Sequence, residues 1–181
     1  METCQFSKNG SLYFLTFSVV QWLPVFISEE PCCILTDSLN YCHEKKGLRV
    51  HSYVIMPTHM HSILSHESLN GKKLGKTVTA FRKHTGRRML EFCEGNTPAC
   101  FLDIFQAVAG ADRNAQFWQP KRHPEAIESQ EFIEQKWNYV HDNPCRKGLV
   151  EGPEHWRFSS ASYWASGAEK ANDVVLTAIE F

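Results

Sequence analysis

From Leu12 to Trp22 the chain is dense in β-branched and aromatic residues on both alternating sides. That pattern predicts a central strand with apolar cover on either face. Ser28, Glu29, Glu30 and Pro31 then read as a helix start, with a capping hydroxyl, acidic first-turn residues and an early proline. Ile34, Leu35, Leu39 and Cys42 recur at helical spacing behind it, until Lys45, Lys46 and Gly47 end the helix. Leu48 to Met56 is expected as a second strand, Pro57-Thr58 as a tight break, and His59 to Ser65 as a third strand paired with the second in a hairpin.

Leu69 to Phe92 predicts a second helix, with Leu74, Val78, Phe81, Thr85 and Met89 on one stripe. A short helix follows over Cys100 to Ala109, then a flexible Gly110 to Asn114, and Phe117-Trp118-Gln119 is expected to return to the sheet. Ser129 caps the last long helix, whose inward stripe is Phe132, Ile133, Lys136, Trp137 and Val140. Pro144 biases Asn143 away from helical geometry, so the helix should end there. The remainder holds Trp156, Phe158, Tyr163 and Trp164, then a strand-like Val174 to Phe181. Strands and helices in this order imply an α+β fold. With no repeat or low-complexity tract, one domain over residues 1–181 is expected, with a core of about 10–150 and a tail of 151–181.

Composition narrows the class only a little. Hydrophobic residues make 43% and charged residues 22% of the 181 positions, as in ordinary globular proteins. The net charge of −1 points to no polyanion partner, but the distribution is uneven. Lys72, Lys73, Lys76, Arg82, Lys83, Arg87 and Arg88 are seven of the nineteen basic residues, and no Asp or Glu lies between Asn70 and Leu90. A helix face without acidic partners suits a phosphate backbone. Lys121, Arg122 and His123 form a second basic cluster. The seven cysteines, an odd number without a C-x-x-C pair, argue against a disulfide framework and for a reducing compartment. The apolar run from Leu12 to Ile27 is interrupted by Thr16, Ser18, Gln21 and Pro24 and has no export-signal flanks, so no membrane partner and a cytoplasmic location are expected.

The candidate chemistry begins at His59-Met60-His61. Residues two apart on a strand point the same way, so both imidazoles should leave one face while Met60 enters the core. Two neutral imidazoles side by side are half of a divalent-ion site. Tyr139 and Asn143, four apart on the last helix, share a face. Read alone, Tyr139 is a packed helix tyrosine and Asn143 a helix end before proline. Tyr13, Tyr41 and Tyr53 sit in expected core elements. Tyr163 follows Ser159-Ser160, which read as exposed, so it competes with Tyr139 for any role that needs an accessible phenol. Trp118 either stacks on an unpaired base or packs in the core, and the sequence leaves both open.

Taken in order, these motifs resemble the REP-associated tyrosine transposases, relatives of the single-strand transposases in the HUH nuclease superfamily. Leu12-Tyr13-Phe14-Leu15-Thr16-Phe17 looks like the family's first strand, and Tyr53-Val54-Ile55-Met56-Pro57-Thr58-His59-Met60-His61 like its HUH strand pair. Phe117-Trp118-Gln119, Tyr139-Val140-His141-Asp142-Asn143-Pro144 with Gly148-Leu149-Val150, and Trp156-Arg157-Phe158-Ser159-Ser160 with Tyr163 complete the set. Thr58, Ser62 and Cys145 depart from the family's usual Asn, large aliphatic and Val.

The resemblance implies a ferredoxin-like α+β sandwich, its central antiparallel sheet carrying the HUH motif, with helices on one face. It implies His59, His61 and Asn143 as ligands of a divalent metal, Mg²⁺ or Mn²⁺, and Tyr139 as nucleophile. The implied activity is nicking and joining of single-stranded DNA through a 5′-phosphotyrosine, on hairpin-forming repetitive palindromes. The basic helix and Lys121 and Arg122 would grip DNA phosphates. Relatives include monomers and helix-exchanging homodimers, so both states stay open. The alternatives are a hairpin-binding descendant without cleavage, a relaxase-type nicking enzyme, and a structural metal-binding protein.

Overall fold

A computed structural model of the chain describes residues 11–110, 114–120 and 124–179. Strands β1 (Leu12–Ser18), β2 (Leu48–Met56), β3 (His59–His66) and β4 (Glu125–Ala126) form one antiparallel sheet in the order β2-β3-β1-β4. Read from the other rim this is 4-1-3-2, with α1 (Glu29–Lys46) between β1 and β2 and α2 (Gly71–Asn96) after β3. It is the ferredoxin-like arrangement. The fold is therefore α+β, and β3 holds a central position beside β1.

The period of two sorts the strand residues onto two faces. Tyr13, Leu15, Phe17, Tyr53, Ile55, Met60 and Leu64 join one apolar cluster, which α1 and α2 close with Leu35, Leu39, Leu74, Val78, Phe81 and Met89. Leu12, Phe14, Val54, Met56 and Ile63 form a second cluster with Val140 of α4 (Gln130–Arg146). The expected helices on one face are thus α1 and α2, while α4 covers the opposite face. That second layer matters for function, because His59 and His61 alternate with Met60 and face α4.

Local sequence explains most element ends. Asn70 caps α2 by accepting from Lys73 N at 3.1 Å, and Ser129 caps α4 by accepting from Phe132 N at 3.2 Å. Ser28 precedes α1 without a side-chain capping bond. Gly47, at φ 64°, ends α1 in the left-handed conformation open to glycine. The expected helix over Cys100 to Ala109 is α3 (Ala99–Ala107).

Three expectations are corrected. The first strand stops at Ser18 rather than Trp22, and the chain turns through a short 3₁₀ segment, Val20–Trp22, with Gln21 at φ 53°. Helix α4 does not end at Asn143. Pro144 removes one donor, yet the helix continues to Arg146, and Lys147 N then bonds Asn143 O at 3.2 Å. The strand expected from Val174 reduces to one parallel bridge, Val50 to Leu176, with Thr177 N donating to Val50 O at 2.8 Å. Glu180 and Phe181 of that stretch, and Ala111, Asp112 and Arg113 of the flexible segment, lie outside the described residues.

The tail nevertheless organises the sheet's rim. Ile55 N donates to Phe158 O, Ser160 N to Tyr53 O, Trp156 Nε1 to Ile55 O and Trp164 Nε1 to His51 O. These bonds occupy the outer edge of β2, whose ladder bulges between Val50 and Ser52. Among the described residues, no helix is long and apolar enough to cross a membrane.

Candidate functional site

The two imidazoles lie side by side on β3, ring centroids 4.5 Å apart and planes at 73°. Cross-strand register sets Thr16 opposite His61, and the Thr16 hydroxyl meets His61 Nδ1 at 2.8 Å. Thr58, one residue before His59, does the same for His59 Nδ1 at 2.9 Å. Among the described residues no hydrogen bond engages either Nε2. Burial holds both rings neutral: it pushes His59 down to about 4, aided by the Lys147 charge, and His61 down to about 3, aided by His59 and Lys136. Neutral rings, anchored through Nδ1 with Nε2 free, are what ligation by imidazole requires.

Helix α4 brings the second half. The Tyr139 ring packs against His61 of the same chain, centroids 5.0 Å apart, and edge-on to Phe14 at 5.8 Å. Asn143 is one turn further along and Lys147 another. Asn143 lies on α4 between Tyr139, whose ring meets His61, and the C-terminal Lys147, whose charge acts on His59. Asn143 is buried, and among the described residues its Oδ1 has no hydrogen-bond partner. A buried carbonyl oxygen left without a donor costs free energy unless something else satisfies it. Two neutral imidazole nitrogens and one buried carboxamide oxygen are the groups on this face that could hold a divalent cation. Among the described residues no cluster of three His, Cys, Asp or Glu side chains offers another such place.

Several residues here have roles that the sequence-based expectations did not give them. Thr16 and Thr58 orient the imidazoles. Lys136 stacks its ammonium over Phe14 at 4.4 Å and pairs with Glu125 at 2.7 Å. The Arg146 guanidinium lies 5.3 Å above the Tyr139 ring. Lys136 and Arg146 of α4, and Lys147 at its C-terminal cap, lie three or four residues from Tyr139 or Asn143, so helical spacing alone could have suggested them.

The basic helix sits elsewhere. Helix α2 packs on the sheet face opposite the histidines. Lys72, Lys73, Lys76 and Lys83 are exposed there. Arg87 and Arg88 both approach Glu91 at 3.5 Å, an acidic partner just past the run. Arg82 is half-buried, donates to Gln119 O and lies 6.0 Å from the Phe17 ring centre. It pins the Phe117-Trp118-Gln119 segment to the fold. Lys121 and Arg122 lie outside the described residues, as does His123.

Trp118 is 5% exposed and donates from Nε1 to Thr85 Oγ1 at 3.0 Å, so its ring is a core group. Of the other tyrosines, Tyr13 and Tyr53 are buried as expected, whereas Tyr41 is 56% exposed. Ser159 and Ser160 are buried rather than exposed, because the Ser160 hydroxyl accepts from Tyr53 N and meets His141 Nε2 at 2.8 Å. His141 is thereby a structural group.

With the geometry in place, comparison with solved structures identifies the class of fold. A REP-associated tyrosine transposase bound to a REP hairpin aligns with 100% of this chain and 94% of its own, at 16% identity and TM-score 0.67. A putative transposase from Deinococcus radiodurans R1 aligns with 78% of this chain and 97% of its own, at 18% identity and TM-score 0.46. The first of these likenesses is one of fold: the chain has the α+β architecture of a tyrosine transposase. No protein-family model matches the chain, and no curated protein matches it.

Proposed function

We propose that this chain belongs with the REP-associated tyrosine transposases and is a metal-dependent enzyme that nicks and joins single-stranded DNA next to a hairpin. One observation carries the reading: His61 and Tyr139, some eighty positions apart, meet in one chain, and one helical turn beyond Tyr139 Asn143 carries a buried Oδ1 with no hydrogen-bond partner among the described residues.

In this reading His59 and His61, through Nε2, and Asn143, through Oδ1, would hold Mg²⁺ or Mn²⁺, which would supply charge neutralisation for the phosphate. The chain's own groups do the rest. Tyr139 Oη attacks phosphorus as its proton leaves. The Oη–P bond forms, the P–O3′ bond breaks, and the DNA 3′ oxygen departs as a hydroxyl. The product is a 5′-phosphotyrosine that keeps the phosphodiester energy for a later attack by a DNA 3′-OH. Arg146 over the phenol ring and Lys147 on the His59 side add positive charge where the phosphate would lie. Thr16 and Thr58 hold the imidazoles in one orientation throughout.

The test is covalent capture. Fluorescent DNA hairpins with single-stranded tails, incubated with the protein and Mn²⁺, should give a band that survives denaturing electrophoresis. Tyr139→Phe should lose that band and retain hairpin binding. An adduct in the Tyr139→Phe protein would place the nucleophile elsewhere. Hairpin binding without any adduct in the parent protein would instead identify a non-cleaving descendant of the family.

A further inference from the structure

We infer that Trp22 is a stacking platform for an unpaired nucleobase flanking the scissile phosphate. The inference rests on the functional reading above and extends it to a residue that no sequence motif marked.

Three observations converge on Trp22. First, its indole is 53% exposed, while the other four tryptophans are buried or half-buried. Trp118, Trp156 and Trp164 each donate Nε1 to a protein acceptor, and among the described residues Trp22 Nε1 has none. Second, the ring stands edge-on to His59, centroids 5.6 Å apart and planes at 82°. The exposed indole is therefore in direct contact with one of the proposed metal ligands. Third, the backbone that presents it is in an unfavourable state. Gln21 and Trp22 are consecutive non-glycine residues at φ 53° and 55°. Side chains disfavour that region, and such strain collects where a side chain must be aimed. Val20 N to Phe117 O at 2.9 Å and Trp22 N to Val19 O at 3.0 Å hold the turn in place.

The surroundings select the partner. A cleft of about 330 Å³ opens beside the indole, lined by Val20, Val108 and the carboxamides of Gln21, Gln116 and Gln119. The Nε2 groups of Gln116 and Gln119 donate to Trp118 O at 3.0 Å and Val19 O at 3.2 Å, so these amides shape the cleft and leave the indole as its recognition surface. A flat, exposed π-face next to the proposed phosphate site suits a base rather than an aliphatic or anionic group. Stacking on an aromatic ring tolerates any base, so the platform positions the strand without reading its sequence.

Binding of a pool of DNA hairpins with randomised single-stranded tails tests this, in chelator so that no cleavage intervenes. Trp22→Ala should weaken binding at least about fivefold, and Trp22→Phe should recover most of the loss. Replacing tail nucleotides one at a time by abasic residues should reveal one position at which the parent protein loses affinity and Trp22→Ala loses nothing more. Thermal melts of both variants separate lost stacking from lost fold. Undiminished binding by Trp22→Ala overturns the platform. So does a loss in Trp22→Ala that leaves sensitivity to every abasic position unchanged, because then the indole only shields His59. If the parent protein binds no hairpin, the functional reading fails first and the platform falls with it.

Discussion

Acid should unfold this protein through its buried imidazoles, and the size of the effect follows from the site. Burial pushes His59 down to about 4, His61 to about 3 and His141 to about 4. In the unfolded chain a histidine takes its proton near pH ~6.5. The folded state therefore binds fewer protons than the unfolded state between roughly pH 4 and 6.5, and stability must fall as pH drops through that window. Above about pH 6.5 the three rings are neutral in both states and the effect is absent. At about pH 5 each ring costs ~2 kcal/mol, so together they remove ~6 kcal/mol, comparable with the whole stability of a typical domain. His51, also pushed down by burial, acts in the same direction.

The assay is urea unfolding followed by circular dichroism in chelator, at a series of pH values from about 7.5 to 5. The double replacement His59→Gln with His61→Gln should reduce the acid loss to that of His141 and His51. A parent protein that loses under about 2 kcal/mol over this range would show that the rings are not buried neutral in the fold, and the argument for a ready ligand pair would go with it.

Other outcomes are expected from particular contacts. Ser62 is fully buried with an unpartnered hydroxyl in the cluster formed by Leu15 and Tyr53, so Ser62→Ala should raise stability by about 1 kcal/mol in thermal or urea unfolding; a loss would mean the hydroxyl has a partner. Thr85→Val strands the Trp118 indole N–H and should cost roughly 1–3 kcal/mol in the same measurement, with hairpin affinity unchanged under conditions where the variant is folded. Lys147→Gln should lower the slope of log Kd against log salt by about 1 and slow adduct formation within the bound complex. Lys76→Gln, on the far side of the sheet, should leave that rate untouched. Equal rates for the two variants would remove Lys147 from the reaction.

Much of this architecture is readable from period alone. The alternation through Leu48 to Met56 and His59 to His66, broken by Pro57-Thr58, is the observed hairpin. The stripe Leu74, Val78, Phe81, Thr85, Met89 is the buried face of α2. The same period also aims His59 and His61 together, away from Met60. What period does not contain is the side of the sheet that a helix crosses. Seven basic residues on α2 read as a phosphate grip and lie on the face opposite the histidines, whereas Lys136, Arg146 and Lys147 are inconspicuous in and just after the mixed-charge helix α4.

Register is the second missing quantity. Thr16 is an unremarkable strand threonine until pairing sets it against His61, and Trp22 reads as strand until the chain turns at Val19. Ser159 and Ser160 illustrate the limits of polarity as a guide to exposure. They are buried because a strand edge and a histidine need their hydroxyls and backbone groups. Pro144 shows that losing one amide donor does not stop a helix whose next carbonyls still find partners.

The backbone bonds from Phe158, Ser160 and Thr177 to β2 leave that strand with little free hydrogen-bonding capacity on its outer side. A second chain, or a slipped segment of the same one, then finds no ladder there on which to grow. Removal of residues 151–179 would convert a sealed margin into a sticky one, and the shortened protein should associate through it as its concentration rises. The terminal segment thus guards solubility as well as packing, though it contributes none of the four groups proposed to meet DNA phosphate at the metal.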